Sequence, residues 1–278
     1  MILLKETSIK LLKLLITELE KLGLFPVIGA EIEFYLKSPN NMPLNNVWQA
    51  EKLEIDINIE SEKGPNQFEV RAIHSRDVLA SAQEIVDLKE KISVQALKQN
   101  MVADFSAKPI IDSPGNALHI HLHLENDKGE NLYIKQGDKD AEIFLHSIGG
   151  LCAHLYENML LFAPYSEAYS RYLGKAVDVP SKICWGGNNR SAAIRIPLDQ
   201  KYNRRLEHRV SCADACPFEV IGAILFGVLQ GINKRIAPPE KLFGNAFLEQ
   251  YEFPLLPNYE QAKEAFSKSE FLAFTKII

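Results

Sequence analysis

The chain has 278 residues, 46% hydrophobic and 24% charged, enough to bury a substantial core as one large domain spanning 1–278. Its net charge of −5 leaves no basic stripe to offset phosphate charge, which argues against a nucleic-acid binder. Four scattered cysteines, Cys152, Cys184, Cys212 and Cys216, do not make a disulfide framework and lack zinc-ribbon spacing, so they read as small buried hydrophobes.

At the N-terminus, Lys5 and Glu6 interrupt the apolar residues and no cleavage site follows, so no export signal is expected. Thr7 or Ser8 can cap a helix with Ile9, Leu12, Ile16 and Leu19 on one face, stopped by Gly23. Residues 26–36 read as a strand, followed by a turn-rich stretch. Residues 53–60 alternate, with Leu53, Ile55, Ile57 and Ile59 on one face and Glu54, Asp56, Asn58 and Glu60 on the other. A Gly-Pro-Asn turn leads into a short strand at 67–71. Helical spacing is predicted for 77–100, a strand for 117–124, one long apolar helix for 140–163, and strands near 191–197 and 205–211. Pro217 suits the first turn of a last apolar helix, which is too short to span a bilayer. Beyond Pro238 and Pro239 the pattern weakens. The expected class is α+β, with a curved, largely antiparallel sheet exposing one face to a site and helices packed outside. The expected compartment is the reduced cytoplasm.

Several strands carry chemistry on one face. Glu31 and Glu33, two apart, leave the same side of a strand, and two such close carboxylates repel unless a cation or proton intervenes. A solvated strand face is the plainer alternative. Glu62 and Glu69 bracket the turn EKGPNQFE, as a surface hairpin also would. In GNALHIHLHLEN, His119, His121 and His123 line one face opposite Leu118, Ile120, Leu122 and Leu124, and imidazole is a common ligand for divalent metals. His146 and His154 read as core histidines. RRLEHRV places Arg205, Glu207 and Arg209 on one face, either a salt-bridge ladder or a carboxylate ligand beside anion-gripping guanidiniums. Arg171, Arg190 and Arg195 extend the set. No glycine-rich phosphate loop is present, so a nucleotide would have to be held by metals and arginines.

In this order GAEIEFYL, EKGPNQFE, AKPIIDSPGNALHIH, AYSRYL with WGGNNRSAAIRIP, and RLEHRVSCADACPF resemble the glutamine synthetase family, across about residues 6–260. The resemblance implies a funnel-shaped site with two Mg2+ or Mn2+ ions. Glu33, Glu62 and Glu69 would hold the metal nearer glutamate, with Glu60 a competitor for Glu62. Glu31, His119 and Glu207 would hold the metal nearer ATP. It further implies that Arg171 and Arg209 grip glutamate carboxylates, with Gly115 along the substrate backbone. Arg190 and Arg195 would neutralise the transferring phosphoryl group, and His121 would lie on the nucleotide side. The implied reaction makes γ-glutamyl phosphate from ATP and glutamate, and an amine then displaces phosphate.

Departures from the family pattern shape further expectations. The small β-grasp domain that precedes the catalytic domain in the family has no counterpart before GAEIEFYL, and the terminal helices are not expected. The flap glutamate is matched by Asp178, in a loop one residue longer than usual. Cys216, Pro114, Ala117 and His123 stand where the family has Asn, Asn, Gly and Ser. These changes lie around the amine pocket, the glutamate backbone and oligomer contacts, so the acceptor is left open as ammonia or another amine (alkylamine, polyamine or ethanolamine), and the assembly is expected to be smaller than the family's rings or a monomer. Two other classes compete: a non-catalytic relative binding nucleotide or a partner, and a metallohydrolase built on the His-x-His-x-His strand, for which further ligands are missing.

Overall fold

An open sheet, built almost entirely of antiparallel ladders, carries the polar residues on one face and hydrophobic core on the other. The structure is a computed structural model and describes residues 2–40, 58–173, 179–198, 203–247, 255 and 258–276. In chain order these form α1 (Lys5–Lys21), β1 (Phe25–Lys37), β2 (Ile59–Ser61), β3 (Gln67–Ser75), α2 (Val78–Lys98), β4 (Val102–Asp104), β5 (Leu118–Glu125), α3 (Glu142–Leu155), α4 (Met159–Phe162), α5 (Ser170–Leu173), β6 (Trp185–Gly186), β7 (Ile194–Arg195), β8 (Leu206–His208), α6 (Pro217–Asn233), α7 (Tyr259–Ser267) and α8 (Glu270–Thr275). The strand order is β2-β3-β1-β5-β8-β7-β6, β4 pairs with β1, and only β6 and β7 run parallel. No described helix is long and apolar enough to cross a membrane.

Alternation explains the sheet. Leu118, Ile120, Leu122 and Leu124 of β5 are all buried, as are Ile28, Ala30, Ile32 and Phe34 of β1, so one face of each strand closes onto the helices. The Asp77 carboxylate caps α2 by accepting from the Ala80 amide at 3.0 Å, and α2 packs against β1 and β3. Helix α6 is buried on nearly every side and lies under α1, α2 and α3, as its unbroken hydrophobicity requires.

The structure corrects some expected boundaries. Helix α1 begins at Lys5, and the Ser8 hydroxyl sits inside its first turn, donating back to the Leu4 carbonyl at 3.2 Å. The entry is fixed elsewhere: the buried Glu219 carboxylate on α6 accepts from the amides of Ile2 and Leu3 at 2.9 and 2.6 Å. The buried stripe of α1 is Leu11, Leu12, Leu15 and Leu19, rotated from the expected face, because Ile9 and Ile16 are only partly covered. Gly23 ends it at φ +72°, as its position suggested. The single helix expected over 140–163 is broken between α3 and α4. There Glu157 takes the His154 ring nitrogen at 2.7 Å and the amide of Glu270, the first residue of α8, at 3.2 Å, a tertiary demand that no local pattern reveals. Of the strand expected at 53–60, residues 53–57 lie outside the described residues, and β2 is its remainder. Pro217 opens α6, which is followed by two further helices, α7 and α8.

Candidate metal and substrate site

Strand register assembles the site. Glu31 on β1 pairs across with Arg71 on β3 and with His119 on β5, while Glu33 pairs with Glu69. His121 of β5 lies opposite Glu207 of β8, which lies opposite Arg195 of β7. Side chains two apart share a face, so these pairs place Glu31, Glu33, Glu69, His119, His121 and Glu207 on one side of four strands. The β2–β3 hairpin adds Glu62, whose amide donates to the Gln67 carbonyl at 2.8 Å. All of them except Glu207 line a cavity of about 340 Å³ that Arg171, Arg190, Arg195, Arg205 and Arg209 also border. Glu207 is fully buried at its floor, held by Arg195 and Arg209.

Three groups of ligand atoms lie within 4.8 Å of one another: Glu33 with Glu62 and Glu69, Glu31 with Glu69 and His119, and Glu31 with His121 and Glu207. The first is the set the resemblance implied for one metal, and Glu60 is not in it. The second implied set, Glu31, His119 and Glu207, is not among these groups: His121 is the histidine grouped with Glu31 and Glu207, while His119 Nδ1 lies 3.4 Å from Glu31 and 3.6 Å from Glu207. His121 Nε2 is 3.2 Å from Glu31 Oε1, yet this buried nitrogen makes no hydrogen bond.

The electrostatics are those of a crowded anionic pocket. Burial, then the charges of Glu31 and Glu62, push the Glu69 carboxyl up to about 8. Burial and Glu33 raise Glu62 as well. Burial also opposes the ionisation of Glu31 and Glu207. Around Glu31 the imidazoles of His119 and His121 overcome it and hold the carboxyl far below the usual range. Around Glu207 the guanidinium of Arg209, then His119, His121 and Arg195, hold it down to about 2. Arg195 Nη1 donates to one Glu207 oxygen at 2.6 Å and Arg209 to the other. Each carboxylate oxygen has a second lone pair, so the arginines orient Glu207 without exhausting it.

The other expected residues fall as follows. Arg171 is buried and donates to the Val210 carbonyl at 2.8 Å, while its Nε makes no hydrogen bond. It packs under Gly115, where a Cβ would sit 2.5 Å from the Ala107 carbonyl oxygen and 2.9 Å from Arg171 Cγ, so only glycine fits. Arg190 is exposed at the rim. Asp178 lies outside the described residues. Ala117 serves through its backbone, donating to Glu33 at 2.8 Å, and Pro114 accepts from the Tyr35 hydroxyl at 2.9 Å. His123 turns to Glu125 at 3.1 Å and does not line the cavity. Cys216 precedes α6 without a side-chain cap, and all four cysteines are free thiols.

Three polar lining residues carried no expected role, Gln67, Lys63 and Arg71. Gln67 is a buried tie: its amide donates to Gly115 O and Asn116 Oδ1 at 3.1 and 3.2 Å and accepts from the Gly64 amide at 3.0 Å, joining the Glu62 turn to the Gly115 loop. Lys63 lies beside Glu62. Arg71 follows Glu69 by two residues on β3, and that period was the available signal.

A family profile describing the glutamine synthetase catalytic domain matches residues 41–276. The chain belongs to the glutamine synthetase family. Among its curated relatives, gamma-glutamylputrescine synthetase PuuA of Escherichia coli (strain K12) is 30% identical over 92% of this chain and 61% of the relative. A glutamine synthetase of Pyrococcus woesei is 31% identical over 82% and 56%. A glutamate–isopropylamine ligase of Pseudomonas sp is 30% identical over 76% and 46%. The chain therefore spans about half to three-fifths of the length of these relatives. The same fold is found in a solved structure titled as a GmaS/ADP complex, with a TM-score of 0.85 at 24% identity over 97% of this chain and 69% of that one.

Proposed function

We propose that the chain joins an amine to the γ-carboxylate of glutamate, using ATP and two divalent metal ions. The observation that carries this reading is the convergence of Glu31, Glu33, Glu62, Glu69 and His119 on one arginine-rimmed cavity, with Glu207 buried against two of its arginines. Its support from relatives is that ligases acting with different amines recur among them.

The residues fit hard divalent cations. Oxygen-rich triples within 4.8 Å suit Mg2+ or Mn2+, and burial, followed by the charge of neighbouring carboxylates, raises the Glu62 and Glu69 carboxyls where no cation offsets it. Glu33, Glu62 and Glu69 would hold one ion; Glu31, His119 and Glu207 would hold the other, with His121 beside it on the nucleotide side. When bound, such ions neutralise phosphate charge and hold the reacting oxygens in line. The protein's own groups supply the rest. Arg190 and Arg195 stabilise charge on the phosphoryl group as it leaves ADP for the γ-carboxylate oxygen. Arg171 and Arg209 grip glutamate, with Gly115 permitting close approach of its backbone. The amine nitrogen attacks the acyl phosphate carbonyl, phosphate departs with the C–O bonding pair, and Asp178 takes the surplus amine proton.

ADP release from ATP and glutamate, assayed with Mg2+ or Mn2+ across ammonia, hydroxylamine, ethanolamine, putrescine and isopropylamine, tests this. Turnover is expected only with metal, glutamate and an amine together. Metal and nucleotide binding without ADP release from any mixture would instead support a non-catalytic relative.

Metal-free protein should also lose stability as pH rises. Glu69 is held near 8 in the fold against 4.5 in the free side chain, so the fold keeps a proton that the unfolded chain has released. Its contribution is complete below pH 4.5 and is lost as pH rises to about 8. The melting midpoint should fall across that window, less so in Glu69→Gln, and Mn2+ should raise it more at pH 8 than at pH 5.5. A Mn2+ increment independent of pH would contradict Glu69 as a ligand.

A further inference from the structure

Arg71 stands between the two groups of candidate metal ligands. Its Nε lies 3.1 Å from Glu69 Oε1 and 3.5 Å from Glu31 Oε1, and its Nη2 lies 3.1 Å from Glu60 Oε2. Glu69 belongs to the triple with Glu33 and Glu62, and Glu31 to the triple with His121 and Glu207. The remaining triple, Glu31 with Glu69 and His119, spans the gap between them, and there a guanidinium touches two of the three members. One protein cation thus engages a carboxylate from each side of the proposed two-metal site.

Its setting differs from that of the other arginines on this sheet. The side chains of Arg195 and Arg209 are 16% and 4% exposed and fixed against Glu207, whereas that of Arg71 is 53% exposed. Little packing restrains its head. Register supplies it with a second anchor: Glu60 on β2 lies across from Glu69, at the edge of the sheet, with its side chain 47% exposed. A divalent cation entering either triple would compete with Arg71 for Glu69 or Glu31 and repel it at close range. The nearest carboxylate not in any triple is Glu60, toward solvent.

Resting on the proposed metal site, we propose that Arg71 is a displaceable counter-cation. It positions Glu31 and Glu69 before metal enters, is driven off them by the incoming ions, and is retained at the rim by Glu60. Arg71 is a positioning residue in this scheme, and its removal should tighten metal binding. A residue that merely braced the ligands would have the opposite effect.

Mn2+ binding, measured by calorimetry or by the paramagnetic signal of free Mn2+ without nucleotide at fixed pH and salt, tests it. Arg71→Met should bind Mn2+ about tenfold tighter than wild type, since one positive charge near the ions is lost. Arg71→Lys, which keeps the charge, should stay within about twofold of wild type and guards against misfolding as an explanation. Glu60→Gln should weaken binding about threefold, and this effect should shrink in the Arg71→Met background because there is no longer an arginine to retain. Affinity in Arg71→Met equal to or weaker than wild type would overturn the counter-cation role while leaving the metal site standing. An equal Glu60→Gln effect in both backgrounds would overturn the role of Glu60. A wild type that binds no Mn2+ would remove both this inference and the proposed function.

Discussion

Glu207→Gln is expected to abolish Mn2+ binding at the His119 side of the proposed site and to reduce the proposed ligase turnover by at least about 10³-fold. The substitution keeps shape and removes charge. Glu207 is fully buried, and both oxygens are engaged by guanidiniums, Arg195 at 2.6 Å and Arg209. An amide can accept on one side only, and its NH2 would face a guanidinium donor. Leaving Arg209 buried without a full counter-charge should cost about 3–5 kcal/mol, lowering the melting midpoint by about 10 °C. Calorimetric melting with and without Mn2+ separates the two effects, since lost stability alone would leave the Mn2+ increment intact. Wild-type turnover in a folded Glu207→Gln protein would refute its place in the site.

Gly150→Ala should destabilise the protein by about 3 kcal/mol or more without touching the cavity. A Cβ at Gly150 of α3 would overlap the Gly227 carbonyl oxygen and come within 2.6 Å of Gly231 Cα, both on α6. Both obstacles are backbone, so the two helices would have to separate along the middle of the core. Gly222 on the same helix is the control, because a Cβ there meets only Phe271 Cζ at 3.9 Å. Gly222→Ala should therefore stabilise by about 0.5–1 kcal/mol, through helix propensity and lost freedom of the unfolded chain. Equal melting midpoints for the two variants would show that close helix approach is not what these glycines provide.

The amino-acid sequence alone determined which residue faces which way. Strict alternation in 118–124 and the two-residue spacing of Glu31 with Glu33 and of Arg205, Glu207 and Arg209 assign side chains to faces, because a strand has period two whatever it pairs with. Strand and helix patterning gave the α+β class, motif order gave the resemblance to the family, and in the structure Glu33, Glu62 and Glu69 lie within 4.8 Å of one another. Face assignment is silent on register, and register set the rest. Arg71 became part of the site only because β3 pairs with β1 so that Arg71 lies opposite Glu31. Glu62 was separated from Glu60 by the hairpin, which points Glu60 to Arg71 and Glu62 to Glu33. The break between α3 and α4 and the start of α1 depended on Glu157 and Glu219, carboxylates satisfied by amides more than a hundred residues away. Hydrogen bonds and charge pairs of that range have no local periodicity, so only the tertiary structure decided them.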